Sequence, residues 1–146
     1  MESRTHTEVI RAPTDLCFDT LVDFARYPEW FGVIRSATIE EADPAAQRWR
    51  VRYELDAILK TITYTLAYEG TRPGLLVWKM TAGDLAAIEG RYDLVELEPG
   101  LTEATCTQAL DIGMWVPGIV RRVFERSAIQ DSVRELKKAA EDRAEA

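Results

Sequence analysis

The strongest regularity in the chain is a strict alternation between residues 48 and 57. Trp49, Val51, Tyr53, Leu55 and Ala57 fall on one side of an extended chain, and Arg48, Arg50, Arg52, Glu54 and Asp56 on the other. A period of two with one dry and one wet face marks an antiparallel strand lying over a core. Residues 61–69 repeat the pattern, with Ile62, Tyr64, Leu66 and Tyr68 against Thr61, Thr63, Thr65 and Glu69. Past Arg72-Pro73-Gly74, Leu76, Trp78 and Met80 share a face. After Ala82-Gly83-Asp84 come Ile88, Gly90, Tyr92 and Leu94, and after Glu98-Pro99-Gly100 come Ala104, Cys106, Gln108, Leu110 and Ile112. Two earlier strands are predicted over 4–11 and 33–42, the second ended by Asp43-Pro44.

Helical periodicity occurs twice. Over 14–25, Cys17, Phe18, Leu21, Val22 and Phe24 form a ragged apolar face. Pro13 suits a first helical turn, with Thr14 and Asp15 serving its orphan donors. Pro28 disfavours helical geometry at Tyr27, so the helix is expected to break there, giving two short helices. After Trp115-Val116-Pro117-Gly118 there is no further Gly or Pro. One long helix is predicted from Ile119 to about Arg143, starting near Pro117, with Val120, Val123, Phe124, Ala128, Val133, Leu136 and Ala140 on its apolar side; the tail from Lys137 is expected to fray.

The predicted fold is α+β: a seven-stranded antiparallel sheet curved around a long C-terminal helix, as one domain over residues 1–146. A single helix is about 10 Å across, too thin to fill the hollow of such a sheet. Large side chains fill the remainder, or a cavity stays open. Function is expected in that hollow.

Hydrophobic residues at 47% and charged ones at 29% are ordinary for a globular domain and exclude a disordered chain. No run approaches the roughly 20 apolar residues of a membrane span, so no integral membrane association is expected. Met1 to His6 lacks an apolar signal core, and a cytoplasmic location follows as an expectation. The net charge of −7 opposes a surface devoted to nucleic-acid phosphates or anionic lipid, and nucleic acid is not an expected partner. Local basic patches remain: Arg48, Arg50 and Arg52 on one strand, and Arg121, Arg122 and Arg126 near the start of the last helix. A solvated outer face is the simpler account of both. Cys17 and Cys106 lie in apolar patterns and read as buried free thiols.

Several chemistries drop out. His6 is the only histidine, no C-x-x-C pair exists, and there is neither a G-x-S-x-G elbow nor a glycine-rich phosphate loop. No cofactor or metal is implied. The dry faces instead carry a few polar groups, and the residues expected to line the interior are Trp49, Tyr53, Tyr64, Leu66, Trp78, Tyr92, Cys106, Gln108, Val120 and Phe124. Gln108 stands where its strand calls for an apolar residue. An unpaired buried amide costs roughly 1–3 kcal/mol, so it needs a partner: a neighbouring tyrosine hydroxyl, a water or a ligand. His6, Glu8 and Ile10 share a strand face; His6 beside Glu8 would make a general base if both faced the cavity, but an exposed, disordered His6 is the simpler reading. Asp84, Glu89 and Arg91 read as exposed charges, with a role at the pocket mouth as the alternative. The strand arginines fall on the wet face, and the pattern names no arginine or carboxylate that must lie inside.

Residues 11–31, R-A-P-T-D-L-C-F-D-T-L-V-D-F-A-R-Y-P-E-W-F, resemble the opening of the START/Bet v 1-like (SRPBCC) superfamily. Glu69 to Trp78, Gly83-Asp84-Leu85, Glu89-Gly90-Arg91-Tyr92 and Met114-Trp115-Val116-Pro117-Gly118 leading to Glu135-Leu136-Lys137 extend the likeness over nearly the whole chain. It is most similar to the polyketide cyclase/dehydrase-like and coenzyme-Q-binding-like members. The resemblance implies a helix-grip fold with an apolar small molecule as partner: a lipid, an isoprenoid quinone or an aromatic polyketide-like compound. Binding is the leading expectation, an aromatase/cyclase or dehydratase the rival, and a non-enzymatic protein-interaction module the third reading.

Overall fold

The computed structural model describes residues 2–146, and the side chains of all of these except Glu2, Arg126 and Ser127. Seven strands form one sheet: β1 (Glu2–Ile10), β2 (Ile34–Asp43), β3 (Arg48–Asp56), β4 (Thr61–Thr71), β5 (Leu75–Gly83), β6 (Ala87–Glu98) and β7 (Leu101–Asp111). Their order is β1-β7-β6-β5-β4-β3-β2, antiparallel at every pairing. The helices are α1 (Thr14–Val22), α2 (Tyr27–Trp30), α3 (Gly118–Arg121) and α4 (Arg126–Glu145). This is the expected helix-grip arrangement. No described helix is long and apolar enough to cross a membrane.

Alternation sets the register. Val51, Tyr53 and Leu55 are buried, as are Ile62, Leu66, Tyr68, Leu76, Trp78, Tyr92, Leu94 and Cys106. Register shifts at Ile39/Glu41, Thr65/Leu66 and Glu96/Glu98 bend the sheet into its hollow, as bulges do. At the second of these, Thr65 is buried although its alternation assigns it to the wet face.

The first helical segment departs from expectation. Pro13 is itself the N-cap, no side chain caps the helix, and the Thr14 hydroxyl bonds Thr102 at 2.9 Å instead. The break falls at Asp23 (φ −83°, ψ 61°), followed by a 3₁₀ turn, and Tyr27 is helical (φ −51°, ψ −41°). Pro28 sits in the first turn of α2, where its missing N–H is no loss. The corner is fixed by the Tyr27 hydroxyl, which donates to Leu21 O at 2.5 Å, and by Tyr27 stacking on Tyr53 with centroids 5.8 Å apart.

The single C-terminal helix is also corrected. α3 passes into a 3₁₀ turn at Arg122–Phe124, the chain extends at Glu125 (φ −76°, ψ 175°), and only then does α4 begin. Helical phase explains the break. At about 100° per residue, Ile129, Val133, Leu136 and Ala140 fall roughly opposite Val120 and Phe124 on an uninterrupted helix. Such a helix would turn Asp131 inward with Val120 and expose Val133 and Leu136. Resetting the phase at Glu125 lets Val120, Ile129, Val133, Leu136 and Ala140 all be buried.

α4 packs on β1 and α1. Lys137 Nζ donates to Val9 O (2.6 Å) and to Glu141 (2.7 Å), and Glu141 also accepts the Arg11 backbone N–H at 2.9 Å. At the other end of the sheet, Glu135 accepts the Gly32 N–H at 3.1 Å.

Candidate functional site

Between sheet and helices lies a cavity of about 260 Å³. Tyr53, Leu55, Tyr64 and Leu66 supply one wall from β3 and β4. Trp78, Tyr92, Cys106 and Gln108 supply the next from β5, β6 and β7. Phe31 to Ile34, after the α2 corner, and Arg122 to Phe124, before α4, face each other at its opening; Asp131, Ser132 and Glu135 of α4 complete it.

The structure therefore brings Tyr53, Tyr64, Leu66, Trp78, Tyr92, Cys106, Gln108 and Phe124 onto one surface. It does not bring Trp49 or Val120 there. Trp49 packs on Phe24, ring centroids 5.7 Å apart, and Val120 is fully buried in the core. Sequence reasoning missed Tyr27, Phe31, Arg122, Asp131, Ser132 and Glu135. The Y-P-x-W-F corner was a visible signal for the first two. The charged ones carried no such signal, since beside the apolar helix positions they read as solvent-facing.

The polar groups of the wall are mostly paired among themselves. The Tyr53 and Tyr68 hydroxyls bond at 2.7 Å, and the Tyr92 hydroxyl lies against Cys106 and Ser132. Gln108 Oε1 accepts the Trp78 indole N–H at 3.0 Å, so its partner is an indole rather than a tyrosine. Gly90 makes this contact possible. It lies opposite Trp78 on one side and Gln108 on the other, and a Cβ there would sit 2.3 Å from the indole.

Among the uncharged side chains of the wall, two donors have no partner among the described residues: the Gln108 side-chain NH₂ and the Tyr64 hydroxyl. Burial pushes the Tyr64 phenol well above the usual tyrosine range, and burial first, then neighbouring groups, does the same for Tyr53, Tyr68 and Tyr92. All four stay protonated hydrogen-bond donors at neutral pH. Burial pushes the Cys106 thiol up to about 12, so it is an uncharged, unreactive part of the wall, and Cys17 is likewise a buried free thiol with a raised pKa. Glu135 titrates above the usual carboxylate range because burial outweighs its Gly32 N–H, with Asp131 adding to the rise.

His6 and Glu8 do lie on the inner face of β1 but form no part of the cavity wall. His6 Nε2 and Glu8 Oε2 are 2.5 Å apart, and Glu8 reaches Arg134 of α4 at 3.6 Å. His6 is thus ordered and partly buried beneath α4, which corrects the expectation of an exposed, disordered residue. Asp84 accepts the Thr63 N–H, Glu89 faces Lys79, and Arg91 pairs with Asp93; none of the three lines the cavity. A wider depression of about 870 Å³ on the charged face, at Arg48, Arg50, Glu69 and Lys79, is open to water and cannot dry an apolar ligand. Its Arg48 and Arg50 are held in ion pairs with Glu69, Glu40 and Glu41, as solvated strand residues should be. The Arg126 side chain lies outside the described residues. No group of three or more His, Cys, Asp or Glu among the described residues is placed to hold a metal.

The same architecture is found in solved structures at low sequence identity. The Zhui aromatase/cyclase of Streptomyces sp. R1128 is 19% identical, with a TM-score of 0.80 over 97% of this chain and 94% of that one. A START superfamily protein of Mycobacterium smegmatis is 20% identical, with a TM-score of 0.78 over 98% and 97%. The di-domain aromatase/cyclase BexL of the BE-7585A biosynthetic pathway is 23% identical, with a TM-score of 0.73 over 99% of this chain and 50% of that one. At these identities the likeness is one of fold. No curated protein matches the chain in sequence. A family model matches residues 1–141, nearly the full length, and on that match the chain belongs to the family described as polyketide cyclase/dehydrase and lipid transport.

Proposed function

We propose that the cavity binds a compact, mostly apolar molecule carrying a carbonyl or hydroxyl group. The observation that carries this reading is a pair of uncharged donors with no partner among the described residues, Tyr64 OH and Gln108 NH₂, set in a mostly aromatic and aliphatic wall whose charged groups, Arg122, Asp131 and Glu135, come from the chain around the start of α4. Two donors converging on an apolar hollow favour a planar ring system bearing an oxygen acceptor. Size sharpens the choice among lipid, isoprenoid quinone and aromatic polyketide-like ligands. Ligand sites generally run from about 300 to 1,000 Å³; at 260 Å³ this one suits a small fused-ring ketone or quinone better than a long acyl or isoprenoid chain. Titrating the protein with a naphthoquinone and following tryptophan quenching tests the reading. Saturable binding, with no comparable binding of a long-chain fatty acid, is the expected result. Uptake of the fatty acid alone would overturn it.

Glu135 favours a second reading, catalysis in the same cavity. A carboxylate held above its usual pKa at the opening is suited to take a proton from a carbon between two carbonyls. The protein would then accelerate cyclisation or dehydration of a poly-β-keto compound, as the aromatase/cyclase names of its structural neighbours suggest. Acceleration abolished by Glu135→Gln would establish it, whereas binding without turnover would leave the carrier reading.

A further inference from the structure

We infer that one end of the molecule docks on the surface of an anionic lipid bilayer. Five of the exposed large apolar side chains are gathered on two neighbouring connections. Ile58 (61% exposed) and Leu59 (63%) form the tip between β3 and β4. Met114, Trp115 (81%) and Ile119 lie between β7 and the end of α3. Lys60 Nζ approaches Met114 Sδ at 3.9 Å, so the two tips are adjacent. Trp115 stands mostly in solvent, although indole is the side chain best suited to a membrane–water interface.

Charge selects the occupant. Lys60, Arg121 and Arg122 flank these tips and form no ion pair with any described residue, unlike Arg26, Arg48, Arg50, Arg72 and Arg91 elsewhere. The nearby carboxylates Asp56, Asp84 and Asp111 are each turned onto a backbone N–H, of Ile58, Thr63 and Gly113. Free cations beside protruding apolar tips are what an anionic headgroup layer recognises. The net charge of −7 does not prevent this, because screening over about 10 Å at ordinary salt confines the contact to this end. α3 leads directly into Arg122–Phe124 at the cavity opening, so docking would bring that opening to the bilayer. The docking stands on these surface residues, whatever the cavity holds.

Sedimentation with phosphatidylcholine vesicles, with and without phosphatidylglycerol, tests it. The intact chain should bind the anionic vesicles, shift its tryptophan emission to the blue, and dissociate at high salt. Trp115→Ser and, on the other tip, Leu59→Ser should each lower partitioning about tenfold without altering naphthoquinone binding in solution. Arg121→Glu should weaken binding to anionic vesicles only. No binding by the folded wild type, equal binding to neutral vesicles, or binding unchanged in both tip variants would overturn the inference. So would a dimer in sedimentation velocity that Trp115→Ser dissolves, because the occupant would then be a second copy.

Discussion

The indole N–H of Trp78 donates to Gln108 Oε1 at 3.0 Å although a whole strand, β6, lies between their backbones. The ring reaches across because the intervening residue is Gly90, over which it lies flat. One glycine, one indole and one amide thus form a single unit of the cavity wall. Gln108 spends its acceptor on this bond and keeps its donors for the cavity.

Removing either support should be costly. Gly90→Ala places a Cβ 2.3 Å from the indole and must displace it; overpacking of this kind costs typically 1–3 kcal/mol. Gln108→Leu leaves the indole N–H unpaired, at about 1–3 kcal/mol. Urea unfolding should show both losses, and the near-ultraviolet circular dichroism of Trp78 should change in the glycine variant. Unfolding midpoints equal to wild type in both would mean that the unit has no structural weight.

Tyr64 separates recognition from stability more cleanly, since its hydroxyl bonds no described residue. Tyr64→Phe should shift stability by less than about 0.5 kcal/mol while weakening a quinone several-fold, the loss of about one hydrogen bond. Naphthalene, which has no oxygen, should bind both forms alike. Equal weakening for both probes would assign the effect to cavity shape.

Strand faces were legible because a period of two cannot be mistaken for 3.6: Val51, Tyr53, Leu66, Trp78 and Cys106 lie inside as alternation requires. Gln108 was legible as an anomaly, but its partner was not. That partner sits two strands away, and only the register across Gly90 reveals it. The broken C-terminal helix was missed because no Gly or Pro marks Glu125; its signal was the phase slip from Phe124 to Ile129. Asp131 and Glu135 were missed for a different reason: as charged residues they do not count toward an apolar helix face. Trp49 was misplaced for another reason. It alternates inward correctly, but Phe24 of the first helical segment meets it before the cavity does.

Ligand affinity should depend on pH through Glu135. Burial already favours its neutral form, and an apolar ligand at the opening removes more water, favouring that form further. Binding then takes up a proton, so affinity should rise as pH falls from neutrality through the raised pKa and level off below it. Folded-state stability follows the same direction: the ionised carboxylate opposes folding above that pKa, and the penalty fades as pH falls toward the unfolded value. Glu135→Gln should bind with an affinity independent of pH across this range. A mutant profile matching wild type would assign the pH dependence to another group.

Glu141 should act in the opposite sense, and on stability alone. Burial tends to raise its pKa, but the Arg11 N–H and the Lys137 ammonium outweigh that and hold the carboxyl below its usual range. A carboxylate with a lowered folded pKa contributes stability above its unfolded pKa, about 4.3, and loses it as pH falls through the folded value. The bonds tie the end of β1 to α4: Glu141 to Arg11 N at 2.9 Å, and Lys137 to Glu141 at 2.7 Å and to Val9 O at 2.6 Å. Glu141→Gln keeps an acceptor for Arg11 but not the charge. Because the pair is partly exposed, the expected loss at neutral pH is only about 1 kcal/mol, shrinking below pH 4 as wild-type Glu141 also becomes neutral. Thermal unfolding of both proteins at several pH values would show the two curves converging in acid. A difference that persists unchanged there would mean that the residue acts through packing, with no contribution from its charge.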